Sequence, residues 1–217
     1  MCSARYYALS QGAKVMSMTE RAKNFAPDAV ASAKAILFEL QVEQHHHDEV
    51  YHREIARLSL HQRLNHMALH FAKYAGKVAA AERIEDALPV YVDTLVIGLS
   101  MANILNAEMW GILSPANQEY LGLLPFGRAL ARQIGTDLEG RAELLRTTAI
   151  AAGQVAAACE KIDHLEEISF RADIKHGLSK LATISLAILA VHGIDPAAAI
   201  RSRLQSVKSR LKLHGRI

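Results

Sequence analysis

Residues 54–84 read EIARLSLHQRLNHMALHFAKYAGKVAAAERI, and residues 90–110 read VYVDTLVIGLSMANILNAEMW. In the first stretch Ile55, Leu58, Leu64, Met67, Phe71, Ala75 and Val78 recur mostly every three or four residues, which predicts an amphipathic helix. The second stretch is nearly apolar all round, which predicts a central helix, with Pro89 suited to its first turn. A long amphipathic helix followed by a buried one decides the class: the chain is expected to be all-α.

The flanks read the same way. After Pro27-Asp28, the run AVASAKAILFELQVEQ places Ala29, Ala33, Ile36, Leu37 and Leu40 at helical spacing. The polar segment HHHDEVYH (45–52) reads as a break or a solvated helix face. Residues 113–136 hold Pro115 and Pro125 and glycines at 122, 127 and 135, which predicts a connector with short helical turns. Helices are expected to resume at 137–162, 166–192 and 196–213, the last with Asp195-Pro196 as cap and first-turn proline. No run alternates with period two for long enough to predict a strand. The organisation expected is an N-terminal extension (1–26), a helical unit (27–112), a connector (113–136) and a second helical unit (137–217).

Composition narrows the function classes. Among 217 residues, 25 Lys and Arg stand against 22 Asp and Glu, a balance that gives no argument for nucleic acid, which is not expected as a partner. Hydrophobic residues make up 51% of the chain, enough for a packed core rather than disorder. Cys2 and Cys159 make neither a disulfide framework nor a zinc cluster, so a reduced, cytoplasmic setting is expected. The apolar stretches 94–107 and 181–194 fall short of a membrane span, and the N-terminus lacks a signal peptide's apolar core. Met16 or Met18 could serve as the start.

The chain repeats itself. YAGKVAAAERI (74–84) aligns with AAGQVAAACEKI (151–162), and the apolar runs that follow, TLVIGLSMANILNAE (94–108) and LATISLAILAVHGID (181–195), keep the same order. This predicts two helical hairpins related by a pseudo-twofold axis in one bundle. Gly76 and Gly153, equivalent in the alignment, are expected where helices approach closely. Apolar surface left over by two hairpins predicts a homo-oligomer.

HFAKYAGKVAAA with VDTLVIGLSMANILN, and HGLSKLATISLAILAVHGIDPAAAIRSRLQSVKSR in the second half, resemble the all-α nucleoside triphosphate pyrophosphohydrolases, the MazG and dimeric-dUTPase superfamily. The resemblance covers roughly 55–110 and 140–212. It implies a fold built on Glu-x-x-Glu and Glu-x-x-Asp helices, whose carboxylates hold Mg²⁺. Here those positions fall on Tyr74, Lys77, Val90 and Asp93, and in the second copy on Ala151, Gln154, Gly177 and Lys180, so one carboxylate of eight remains. Asn103 keeps an Asn common in the family's third helix, and Arg203 and Lys208 fall on the basic last helix that helps to hold phosphates.

The expected function is therefore a non-catalytic fold that binds a nucleotide or another phosphate-containing small molecule. Its expected ligand residues are Tyr74, Lys77, Asp93, Asn103, Arg203 and Lys208, with Lys77 paired to Asp93 in place of the lost cation. No cofactor is expected, with Mg²⁺ required only if hydrolysis survives through relocated ligands such as Glu82. A helical assembly module is the third reading. Of eleven histidines, seven lie between 45 and 70. No metal site is expected: His66 and His70, four apart on one helix face, are with Asp93 the only weak candidates, and a plain hydrogen-bonded role is favoured for the pair. Cys159 is expected to pack rather than react.

Overall fold

The computed structural model describes residues 31–113, 119–135, 140–164, 166–167 and 169–210. The expected N-terminal extension, its start codons and the Pro27-Asp28 helix opening lie outside these residues, as does the expected end of the last helix at 211–213. Among the described residues no strand forms. The helices are α1 (Ala33–Tyr51), α2 (Arg53–Ala56), α3 (Leu60–Ala80), α4 (Ile84–Ile104), α5 (Met109–Leu113), α6 (Leu123–Ile134), α7 (Arg141–Asp163), α8 (Phe170–Val191) and α9 (Pro196–Arg210).

Local chemistry sets the ends. Ser32 caps α1 by accepting from Ala35 N–H, and Asp195 caps α9 by accepting from Ala198 N–H at 3.1 Å. Ser59 and Gln62 form a reciprocal capping box that starts α3 anew after α2. The single helix expected over 54–84 is thus two. α4 begins at Ile84, so Pro89 lies inside it rather than in its first turn. The carbonyl that Pro89 leaves without an intrahelical donor belongs to the exposed Glu85, where water can serve it.

The helices α3 and α4 form one hairpin, α7 and α8 another. α3 runs antiparallel to α7: His61 meets Asp163 at one end, and Arg141 donates to the Ala79 carbonyl at 2.7 Å at the other. α4 runs antiparallel to α8, whose Arg171 donates to the Leu105 carbonyl at 2.7 Å. One continuous core includes Leu64, Phe71, Tyr91, Leu99, Val155, Leu178 and Leu186. α4 and α8, 21 and 22 residues long, are apolar enough to span a membrane by length and composition, more than the sequence stretches implied. Most of each is buried against other helices.

Residues 113–136 are more than a connector with short turns. α6 is a full helix packed along α8. A Cβ on Gly127 would sit 2.5 Å from the Leu186 carbonyl oxygen and 2.6 Å from the Ala190 Cβ, so only glycine permits that approach. Pro125 falls in the first turn of α6, where no N–H is needed. Close approach also marks Gly177, where a Cβ would lie 2.7 Å from Val155. Gly76 and Gly153 do not have the expected role: both are exposed, and a Cβ there would meet nothing within 4 Å.

α1 crosses α4 and is locked to it by an amide knot. Gln41 donates to Asn103 Oδ1 and to the Ala107 carbonyl, both at 3.0 Å. Its own Oε1 accepts from Met109 N–H at 2.7 Å, and Asn103 Nδ2 donates to the Gln41 carbonyl at 2.9 Å. α9 lies over α1 and α4. Arg201 binds Glu43 at 2.9 Å and Glu39 at 3.4 Å on α1, while Arg203 turns to Asp93 on α4.

Candidate functional site

Between α1, α3, α4 and α9 lies a cavity of about 390 Å³, in the size range of small-molecule sites. Helical spacing builds its walls. His66, His70, Lys73, Tyr74 and Lys77 follow one face of α3, and Asp93, Val96, Ile97 and Ser100 one face of α4. α1 contributes Gln44, His47 and Asp48, and α9 contributes Arg203, Leu204 and Val207. His52 and Glu54 enter where the chain breaks between α1 and α2.

The two ends differ in chemistry. Asp93 and Ser100 stand two turns apart on α4, about 10 Å along the axis. At the Asp93 end, Arg203 grips the carboxylate with two nitrogens, Nε and Nη2, the latter at 3.2 Å. No ion pair joins Lys77 to Asp93, which corrects the expected charge swap. The α9 arginine reaches a half-buried carboxylate with a bidentate fork, whereas Lys77 is exposed with its ammonium 5.9 Å from the Tyr74 ring centre. Burial, followed by the neighbouring Lys77, lowers the Lys73 ammonium pKa. Burial and the Asp93 charge raise the Tyr74 phenol above its usual range.

The histidines of α3 form a chain. Lys73 Nζ, which can only donate, lies 3.1 Å from His70 Nδ1, so that nitrogen accepts and the proton sits on Nε2. His70 Nε2 then donates to His66 Nε2 at 3.2 Å, and the Tyr74 hydroxyl stands 3.3 Å from His70 Nδ1. Burial, helped by Lys73 and His66, lowers the His70 pKa to about 4. His66 is lowered too, first by burial and then by Lys73. Both rings are neutral near pH 7.

At the Ser100 end, Ser100 Oγ donates to Asp48 Oδ2 at 2.7 Å and Gln44 Nε2 donates to Asp48 Oδ1 at 3.2 Å. His47 is 7% exposed, and neither ring nitrogen has a hydrogen-bond partner of good geometry. His47, Asp48 and His52 bring one ligand-capable atom each to within 4.8 Å of the others. The run HHHDEVYH is therefore helical through Tyr51, with His47 interior, and breaks at His52. The apolar register Leu37, Leu40, then Gln41, Gln44 and His47, continued in polar residues, was the signal that could have shown it.

Tyr74, Lys77, Asp93, Arg203, His66 and His70 meet around the cavity. Asn103 and Lys208 do not: Asn103 serves the knot with Gln41, and Lys208 lines a separate groove with Glu43 and Arg201. Glu82 is exposed at the end of α3, outside the cavity lining. Cys159 is buried, and desolvation pushes its thiol up to about 11, as packing implies. No protein-family profile, curated protein or solved structure matches the chain.

Proposed function

We propose that the cavity binds a phosphate-bearing small molecule of nucleotide size and does not cleave it. One observation carries this reading: Lys73, Lys77 and Tyr74 line the cavity beside Arg203, and neither lysine is paired with a carboxylate among the described residues. Two ammonium groups one turn apart, neither neutralised by a carboxylate among the described residues, favour a multiply charged anion. The nearest carboxylate, Asp93, is held by Arg203 and is poorly placed to gather Mg²⁺ ions, which need several oxygens. The test is a thermal-shift series with tripolyphosphate and nucleoside triphosphates, without divalent ions. At a hundredfold excess over Kd the expected stabilisation is about 3 kcal/mol. It should vanish in the Lys73→Gln, Lys77→Gln double variant. No shift with any phosphate, or a shift that survives that variant, overturns the reading.

The frame of this proposal is a tandem of pyrophosphohydrolase-like repeats, and several contacts support it. Antiparallel pairing of α3 with α7 and of α4 with α8 is what a twofold axis across the bundle requires. α1 lies on α4 as α6 lies on α8. The residues entering α1 and α6 meet in an antiparallel bridge, Ser32 with Leu121, where Ala33 N–H donates to the Tyr120 carbonyl at 2.7 Å and Gly122 N–H to the Ala31 carbonyl at 3.1 Å. Lys180 donates to Gln154 at 3.1 Å, joining the second-copy counterparts of Lys77 and Asp93. A cytoplasmic setting fits this reading.

Self-association is a second reading, favoured by Phe38 and Val42, one turn apart on α1 and each more than half exposed. Light scattering of the full chain decides it: a dimer supports it and a monomer at micromolar concentration overturns it.

A further inference from the structure

We propose that His47, Asp48 and His52 form a binding site for a Zn²⁺-class divalent metal ion at the Ser100 end of the cavity. This goes beyond the phosphate reading and does not rest on it.

The first support is placement. His47 and Asp48 are neighbours in the last two turns of α1, and His52 is the residue at which the helix stops, with φ −131° and ψ 43°. Had α1 continued, His52 would point well away from His47, because five residues turn a helix by about 500°, or 140° net. The break brings the two rings to a centroid distance of 5.5 Å. One ligand-capable atom from each of the three residues then lies within 4.8 Å of the others, so modest side-chain rotations suffice to converge on one ion.

The second support is independent of spacing. The His47 ring is more than nine-tenths buried and faces the cavity, yet both of its nitrogens lack a hydrogen-bond partner of good geometry. Its other neighbours include the Leu204 backbone, outside good hydrogen-bond geometry, and two rings, Tyr51 at 4.8 Å and His52. Buried polar groups are satisfied in folded proteins with few exceptions, so an imidazole in this position calls for a partner with an empty orbital or a proton. A metal ion supplies the first.

The surroundings match what metal ligands need. Ser100 and Gln44 each donate to one Asp48 oxygen, fixing the carboxylate and leaving lone pairs free. Glu54 Oε1 stands 3.7 Å from His52 Nδ1, where a carboxylate favours the tautomer that leaves Nε2 as the ligand. Two imidazoles and one carboxylate select Zn²⁺ and similar transition metals over Mg²⁺ or Ca²⁺, which take oxygen shells. Three protein ligands leave a coordination position open toward the cavity.

The test uses the full-length chain without an affinity tag, stripped with chelator and titrated with Zn²⁺ or Co²⁺ alone. One equivalent should bind per chain, and Co²⁺ should give the visible absorption of a low-coordinate nitrogen and oxygen site. His52→Ala, at a half-buried position, should lose this absorption while circular dichroism shows the same helix content. Asp48→Asn should weaken binding at least tenfold, and the His45→Gln, His46→Gln double variant should leave it unchanged. X-ray absorption on the Zn²⁺-loaded wild type provides a readout that needs no variant, with two imidazoles expected in the first shell. Binding of no metal, binding that survives His52→Ala, loss of binding in the His45/His46 variant, or a shell without two imidazoles each overturns the site. Phosphate is absent throughout, so failure here leaves the phosphate reading standing, and the reverse holds as well.

Discussion

Glycines that look alike in the sequence carry opposite stability effects. Gly127→Ala must displace the Leu186 carbonyl or the α6 backbone, and overpacking of this kind costs about 1–3 kcal/mol. Gly76→Ala meets open space on an exposed helix, and should gain about 0.5–1 kcal/mol. Urea denaturation of the two variants checks both signs. A second residue effect is the acid limb of stability. The folded His70 pKa of about 4 lies below its ordinary 6.5, so between these values the unfolded chain binds the extra proton. Stability held at pH 7 is therefore lost as the pH falls from 6.5 toward 4, by about 1–2 kcal/mol once solvent screening of the partly exposed ring is allowed for. His70→Gln should flatten that limb in melting curves taken from pH 7 to 4; an unchanged slope refutes the assignment. Asp93, half-buried, loses its one ion-pair partner among the described residues in Arg203→Met, which should destabilise the chain by about 1–3 kcal/mol while Lys77→Met leaves stability nearly unaltered.

At the scale of the elements, α3, α4, α7, α8 and α9 were legible because their apolar residues keep a period near 3.6 over many turns. α6 was not, because Pro125 and Gly127 read as breakers when only the chain's own propensity is considered. Tertiary packing reverses both: the proline needs no donor in a first turn, and the glycine is where α8 lies closest. The site was half legible. Helical spacing grouped His66, His70, Tyr74 and Lys77 on one face. The partner of Asp93 was misjudged, because sequence spacing does not tell which of several cations a distant helix will deliver. The Gln41 and Asn103 knot was beyond reach for the same reason, since its residues are 62 positions apart. Gln41→Ala should strand the Asn103 amide and the Met109 N–H together, at about 1–3 kcal/mol for each buried group left without a partner. Ser59→Ala, which removes an exposed cap, should cost about 1 kcal/mol. The larger loss in the first variant, read by chemical denaturation, is the expected order.

For the whole molecule, the apolar content and the absence of strand patterns fixed the all-α class, while the sequence alone could not say how the two hairpins face one another. That depends on contacts such as His61 with Asp163 and Tyr91 with Thr148, between residues far apart in the chain. The catalytic expectation belongs to this scale too. Incubation with Mg²⁺ and nucleoside triphosphates should release no pyrophosphate above background, and release that disappears in Asp93→Asn would promote the hydrolase instead. The bridge between Ser32 and Leu121 has a further consequence, for the order in which the chain can become structured during synthesis. α1 emerges from the ribosome long before Leu121, and the buried side of α4 before any of α8. The first half therefore waits with its apolar faces uncovered until the second half follows. Folding is delayed to a late, long-range step, which places the chain among slow folders for an all-helical protein. A nascent chain stalled just after residue 113 should be protease-sensitive and chaperone-bound, whereas one stalled with residue 210 well clear of the exit tunnel should be resistant.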